Sequence, residues 1–326
     1  FGLVRYADNS SNVFGYVRYI LPNTPAATNN VTRGMIFTEV NGSQLTLSNF
    51  SDLLFNDETS YTLGFADYNN GVPISNGQSI SLDKGTITEN PVFMHKVLEE
   101  GGKKIGYLLY NQFIRNFDGN LNNAFASFKS ENIDEIIIDL RYNPGGSTSS
   151  ANYLASMITG QFTNQVFSIE RWNDKVTEAL GEESFINRFT NQIRNTNSDG
   201  QVVLEESINS LSLNRAYFIV SGNSASASEL VINGLSSYID VHLIGTKTVG
   251  KQVGSVTLYD SENLLRSGDN LNQTHSYAMQ PIVFEITNKD NENDRLGYTP
   301  GVSLPGVQIN RDYGNLGQIG ERSDPI

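Results

Sequence analysis

The pattern that most restricts the fold of this chain is a repeated order of apolar strand, small-residue turn and helix. IDEIIIDL (133–140) runs into RYNPGGSTSS and then ANYLASMI. RAYFIV (215–220) runs into SGNSASASE and then LVINGLSSY, and VHLIG (241–245) ends in TKTVGK (246–251). A parallel neighbour strand is reached only through a crossover, usually helical, so this order specifies an α/β core with a largely parallel sheet. The run IIIDL reads as a strand buried on both faces. Ligands of such sheets sit at the carboxyl ends of the strands, and all three turns rich in Gly, Ser or Lys lie there.

The surroundings of this core read differently. At 326 residues the chain is long enough for two domains, and the boundary falls near residue 88. Residues 1–88 form a small β-rich domain: FGLVRY, FGYVRYIL, GMIFTEVNG and TSYTLGFAD are strand-like and separated by Asn, Gly, Ser and Pro. TPAATNN holds a short helix, and LSNFSDLLF a second, with Ser48 as its N-cap. Residues 89–326 carry the α/β core. They open with a strand, a turn at Gly101-Gly102 and a strand, followed by a helix over NLNNAFASFKSENI. Residues from about 162 to 213 break the rhythm with Trp172, a helix-like KVTEALGEESFINRFTNQIR and the polar NTNSDGQ, and read as an insertion or lid. Residues 287–326, rich in Asn, Asp and Gly, read as a loosely ordered surface tail.

Composition narrows the function. Apolar residues at 38% and charged residues at 17% are compatible with a buried core and not with global disorder. The net charge of −13 argues against nucleic acid or an anionic membrane surface as partner. With no cysteine there is no disulfide, thiol nucleophile or thiolate metal site. No apolar run approaches the ~20 residues of a membrane span. His95, His242 and His275 show no metal-ligand spacing, so neither a zinc site nor a histidine-based triad is expected. The chain opens abruptly at Phe1 with no signal peptide. A trimmed N-terminus that carried an export signal or lipid anchor is expected.

Ser226-Ala227-Ser228-Glu229 matches a capping box. The same helix start offers free N–H groups and the positive end of the dipole, which stabilise an oxyanion. Cap and nucleophile can therefore share one place. A serine nucleophile needs a base within hydrogen-bond reach. Lys251, at the same edge of the sheet, is the candidate. It can act only when uncharged, which burial or a neighbouring cation favours, and Val249 and Gly250 are small enough to let it be enclosed. Each piece alone also has an ordinary reading as a helix cap, a solvated loop lysine or a tight glycine turn.

Taken together, IIIDLRYNPGG, SASASE and GTKTVGK, with Lys251 25 positions after Ser226, resemble the C-terminal processing, or tail-specific, serine proteases. VRYILPNTPAATNNVTRGMIFTEVNGSQL resembles the PDZ stretch of that family, and FGL (Phe1, Gly2, Leu3) its carboxylate-binding loop. The resemblance covers nearly the whole chain. It implies a PDZ domain joined to a ClpP/crotonase-like α/β core, with Ser226 as nucleophile and Lys251 as base. It implies an oxyanion hole from the backbone N–H of Gly145 or Gly146 together with that of Ala227. Glu229 becomes a cap that orients the serine loop, and Asp139 and Arg141 a structural pair. Many members carry a glutamine four residues after the lysine; here Ser255 stands there and Gln252 follows Lys251 directly, so either could support the lysine. The implied activity is endoproteolysis near the C-termini of protein or peptide substrates bound by their tails as an added strand. No cofactor is implied, and the implied location is the exported bacterial cell envelope, periplasmic or lipid-anchored. The alternative is a non-catalytic ligand- or peptide-binding protein on the same scaffold, which would be expected to lose the serine or the lysine.

Overall fold

The structure, a computed structural model, describes residues 1–197 and 199–326. Ser198, inside the polar NTNSDGQ, lies outside the described residues. The chain divides into two compact units, Phe1–Glu89 with Asn310–Ile326, and Asn90–Ile309.

The first unit is built on β1 (Gly2–Arg5), β2 (Val13–Tyr16), β3 (Ile36–Val40) with its hairpin partner β4 (Ser43–Gln44), β5 (Ser60–Asp67) and β6 (Ile74–Asp83). They form an antiparallel sheet in the order β1-β2-β3-β5-β6. Helix α1 (Pro25–Thr28) has Thr24 as N-cap, accepting from Ala27 N, and a proline at its first position. Helix α2 (Phe50–Leu54) starts one residue later than the Ser48 cap predicts. Asn49 takes the N-cap position and its side chain accepts from Thr46 N at 2.7 Å. One apolar cluster gathers Phe37, Val40, Leu45 and Phe65. A second gathers Phe14, Tyr16 and Ile36 with Tyr313 and Leu316 of the C-terminal segment. That segment is therefore not a loose tail. Leu316 is buried, and its carbonyl accepts from Arg33 Nε at 3.3 Å.

Along the second unit run β7 (Val92–Glu100), β8 (Lys103–Tyr110), α3 (Asp118–Glu131), β9 (Glu135–Asp139), α4 (Thr148–Ile158), β10 (Val166–Arg171), α5 (Asp174–Leu180), β11 (Ile186–Arg188), β12 (Gln192–Thr196), β13 (Val202–Ser207), β14 (Arg215–Val220), α6 (Ala227–Ser236), β15 (Asp240–Gly245), β16 (Val253–Ser255), β17 (Leu258–Tyr259), β18 (Ala278–Met279), β19 (Ile282–Thr287) and β20 (Gly306–Gln308). The central sheet has the order β20-β15-β14-β9-β8-β7 and is parallel except for β7. Strand β9 is not sealed on both faces: Ile136 and Ile138 are buried, while Glu135 and Ile137 are partly exposed. On α6, Leu230, Val231, Ile232 and Leu235 are buried in one cluster with Phe218 and Leu243, each contributing roughly 2 kcal/mol. That burial anchors the helix whose N-cap is Ser226.

One expectation changes here. Gly181, at φ 79°, ends α5, and the long helix expected beyond it is a 3-10 turn followed by β11. The segment 162–213 packs on the main core, where Phe167, Phe189 and Ile193 are buried. Strands β10 and β11 also join β19 and β16 in a second sheet, ordered β11-β10-β19-β16.

Asp118, at the start of α3, is buried. Its Oδ2 accepts from Asn195 Nδ2 at 2.7 Å. Burial pushes its carboxyl above the ordinary range, against the opposing pulls of Asn195, Ser150 and the Arg115 charge. A carboxyl raised in the folded state contributes stability that is whole below its unfolded value and is lost as pH rises through its folded value. Asp118→Asn, which cannot ionise, is expected to gain on the wild type as pH rises in thermal melts across pH. Parallel curves would contradict this.

Candidate active site

Three turns meet at the carboxyl ends of the adjacent strands β9, β14 and β15. The turn after β9 is sewn to the serine loop after β14. Ser221 Oγ donates to Arg141 O, Ser224 Oγ to Leu140 O at 2.8 Å, and Ser228 Oγ to Asn143 O at 3.0 Å. Ala225 N adds a bond to Asn143 O at 3.3 Å. Of the four serines in SGNSASASE, only Ser226 has a hydroxyl that donates to no protein acceptor among the described residues. Ser226 is partly exposed at the N-cap of α6, with φ 57° and ψ −115°. That conformation belongs to the first central residue of a type II′ turn, normally glycine. A side chain held there costs about 1–3 kcal/mol, and such residues cluster at active sites.

Glu229 holds this turn. The side chain is fully buried and accepts four hydrogen bonds. Its Oε2 takes Ser226 N at 3.0 Å and Lys251 N at 2.8 Å. Its Oε1 takes Gly250 N and Thr248 Oγ1, both at 2.6 Å. Because the 3.0 Å and 2.8 Å legs end on one oxygen, the amide nitrogens of Ser226 and Lys251 lie no more than 5.8 Å apart. Glu229 thus goes beyond the return bond of a capping box and joins the serine turn to the lysine turn. Thr248 extends the network by accepting from Tyr298 N at 2.8 Å.

The glycine turn lies against the serine. Gly145 and Gly146 have φ of 102° and 139°. A Cβ on Gly145 would fall 2.7 Å from Ser226 Cβ, and one on Gly146 2.2 Å from Phe113 O, so neither position has room for a side chain. The N–H of Gly145 donates to Asn143 Oδ1 at 2.8 Å. The N–H groups of Gly146 and Ala227 have no protein acceptor among the described residues. Of the two glycines, Gly146 is therefore the one with an open donor.

Lys251 departs from expectation. Its residue is exposed, not enclosed. Val249 is itself 51% exposed, and the space beside Gly250 is filled by main chain, since a Cβ there would lie 2.5 Å from Arg295 O. Gln252 is 2% exposed, so it does not point outward, and its Nε2 has no partner among the described residues, while Ser255 is exposed on β16. Asp139 and Arg141 form a buried ion pair at 2.7 Å, with Tyr107 Oη donating to Asp139 Oδ2 at 2.7 Å. In the first unit, Phe1 stacks on Phe55 and meets the edge of Phe37, Gly2 and Leu3 lie on the edge strand β1, and Leu3 packs on the apolar cluster. Among the described residues no group of three His, Asp or Glu side chains could hold a metal ion. Sequence reading missed Thr248 and Asn143, although both stand inside the motifs it quoted.

Glu229→Ala would leave four donors without their acceptor, the buried Thr248 Oγ1 and the part-buried N–H groups of Ser226, Gly250 and Lys251. A loss of roughly 3 kcal/mol or more is expected in denaturant unfolding, with Glu229→Gln between that variant and the wild type. Unchanged stability in both would contradict the role of the carboxylate.

Residues 104–294, more than half of the chain, match Peptidase family S41. A Staphylococcus epidermidis protein named as a CtpA-like serine protease is 28% identical over 179 residues, which cover 55% of this chain and 32% of that protein. The carboxyl-terminal-processing protease of a Picosynechococcus species is 26% identical over 175 residues, covering 53% and 35%. The matched stretch thus spans about a third of the length of these curated relatives. A Bacteroides fragilis crystal structure named for the S41 proteases is similar with a TM-score of 0.73 at 24% identity, over 99% of this chain and 78% of that one. The photosystem II D1 C-terminal processing protease gives a TM-score of 0.50 at 17% identity, over 95% and 71%. These structural likenesses speak for the mixed α/β fold, and the family match for descent: the chain belongs to peptidase family S41.

Proposed function

We propose that the protein is a serine endopeptidase that cleaves protein or peptide substrates near their C-termini through Ser226 and Lys251. One observation carries the reading: a strained serine at a helix start, its hydroxyl proton not donated, shares a buried carboxylate with the lysine turn. In this reading Lys251 takes the proton as Ser226 Oγ bonds to the peptide carbonyl carbon. The resulting oxyanion lies against the N–H groups of Gly146 and Ala227 at the start of α6. The C–N bond then breaks, the leaving amine takes the proton from Lys251, and water resolves the acyl-enzyme by the same route.

A lysine base has to be uncharged, which burial favours. Lys251 is exposed in the free protein, so the bound peptide is the cover that removes it from water. Gln252, buried directly after it, is assigned to supporting the loop. The first unit is assigned as a PDZ-like module holding the substrate tail by strand addition at Phe1, Gly2 and Leu3. Membership of the family and the relatives named for carboxyl-terminal processing support this substrate class. The exported bacterial cell envelope is the proposed location.

Ser226→Ala is expected to abolish cleavage of a tail-bearing protein and labelling by a serine-reactive phosphonate, read by peptide mass. Lys251→Ala and Lys251→Arg are both expected to lower kcat by about 10²–10⁴-fold; arginine gives no rescue because it stays charged. Cleavage and labelling that persist in Ser226→Ala would contradict the nucleophile.

A further inference from the structure

We infer that the outer edge of β16 is a docking site for the extended segment of the substrate, with Gly254, Phe284 and Trp172 forming a shelf for one of its side chains, a role that rests on the reading of Ser226 as nucleophile. Among the described residues strand β16 is the last strand of its sheet and pairs with β19 alone. Val253 stands opposite Glu285, and Gly254 opposite Phe284. Gln252 O accepts from Ile286 N at 2.9 Å, and Val256 N donates to Pro281 O at 3.3 Å. Bonds in an antiparallel ladder alternate. Gly254 therefore turns its N–H and C=O toward β19, and Val253 and Ser255 turn theirs outward. Among the described residues these four outward groups have no protein partner. Ser255 is exposed, and Val253 and Gly254 are partly so.

An open edge is a template for another strand, and edges closed against pairing carry charge, proline or a bulky cover. The residues of β16 are Val, Gly and Ser, with no charge and no proline among them; the register shift between Gly254 and Ser255 lies in the pairing with β19 and leaves the outward groups of Val253 and Ser255 without a pair. Its place names the occupant. The strand begins two residues after Lys251, whose amide nitrogen is within 5.8 Å of that of Ser226 by way of the two legs to Glu229 Oε2. A peptide laid along this edge runs past the serine turn and covers the exposed lysine.

The side chains add a preference. A Cβ on Gly254 would fall 1.9 Å from the Phe284 ring, so that ring lies over the glycine. The Trp172 ring stands 4.8 Å from the Phe284 ring at 32°, fixed by its Nε1 donating to Glu170 Oε2 at 3.0 Å. Both rings are partly exposed. Directly opposed residues share a face of the sheet. The docked residue opposite Gly254 meets no β16 side chain and reaches this aromatic shelf, which favours an apolar residue there.

The test uses the full chain and a ten-residue peptide that it cleaves. Val253→Pro removes one outward N–H and no ladder bond. A folded variant, checked by circular dichroism and melting, is expected to lose about 10-fold in kcat/KM, the scale of one hydrogen bond. Independently, N-methylation of successive peptide amides is expected to lower cleavage by the wild type at every second position. Trp172→Ala is expected to flatten the preference for an apolar residue at one substrate position. If Ser226 takes up the phosphonate while Val253→Pro cleaves at the wild-type rate, or the methyl scan shows no period of two, the docking edge is wrong and the nucleophile stands. If Val253→Pro changes self-association and not cleavage, the edge belongs to a second copy of the chain. If the wild type neither labels nor cleaves, the nucleophile reading and the docking edge fall together. Should Val253→Pro not fold, the methyl scan alone decides.

Discussion

The carboxylate of Glu229 is the contact on which the rest of the site depends. It is buried and accepts from the serine turn through Ser226 N and from the lysine turn through Thr248, Gly250 and Lys251. In a low-dielectric interior such bonds are stronger than in water, and losing any of them is correspondingly costly. This is what allows a serine to stay at φ 57° at a helix start, because strain of that kind persists only where surrounding contacts over-determine it. Two turns separated in the chain by α6 and β15 are thereby joined through one carboxylate.

Beneath that piece the molecule is closed, and above it open. Serine hydroxyls tie the loop after β14 to carbonyls after β9, the glycine turn fits against Ser226 with no room for a Cβ, and the first turn of α6 rides on a buried apolar face. The Lys251 side chain and the outer edge of β16 are left to solvent. On the proposed reading this division has a use. The parts that must be placed accurately are fixed by the fold, while the environment that discharges the lysine arrives with the peptide. Binding and chemistry are then coupled, because the base is ready only when substrate lies on the edge.

The three strand-turn units, two of them leading into a helix, were legible because their signals are local: apolar runs of strand length, Gly and Ser punctuation, and a serine three residues before a glutamate. The reach of Glu229 was not. Its bonds to Thr248 and Gly250 exist because β15 lies beside β14, a tertiary fact that no spacing encodes. The exposure of Lys251 was not legible either, because small neighbours in sequence do not say whether the fold covers a side chain. In the segment after α5, apolar spacing predicted one long helix, but Gly181 ended it and tertiary pairing took the rest into strands. The composition of the last residues read as a loose tail, yet Leu316 finds an apolar sheet face.

The most direct measurement is a crystal structure of the protein carrying a peptidyl phosphonate on Ser226. A phosphoryl oxygen bonded to the N–H groups of Gly146 and Ala227 is predicted, with the Lys251 amine turned onto Ser226 Oγ and the Glu229 carboxylate still holding both turns. An adduct on another residue, or a lysine amine still in bulk water with the peptide in place, would contradict the account.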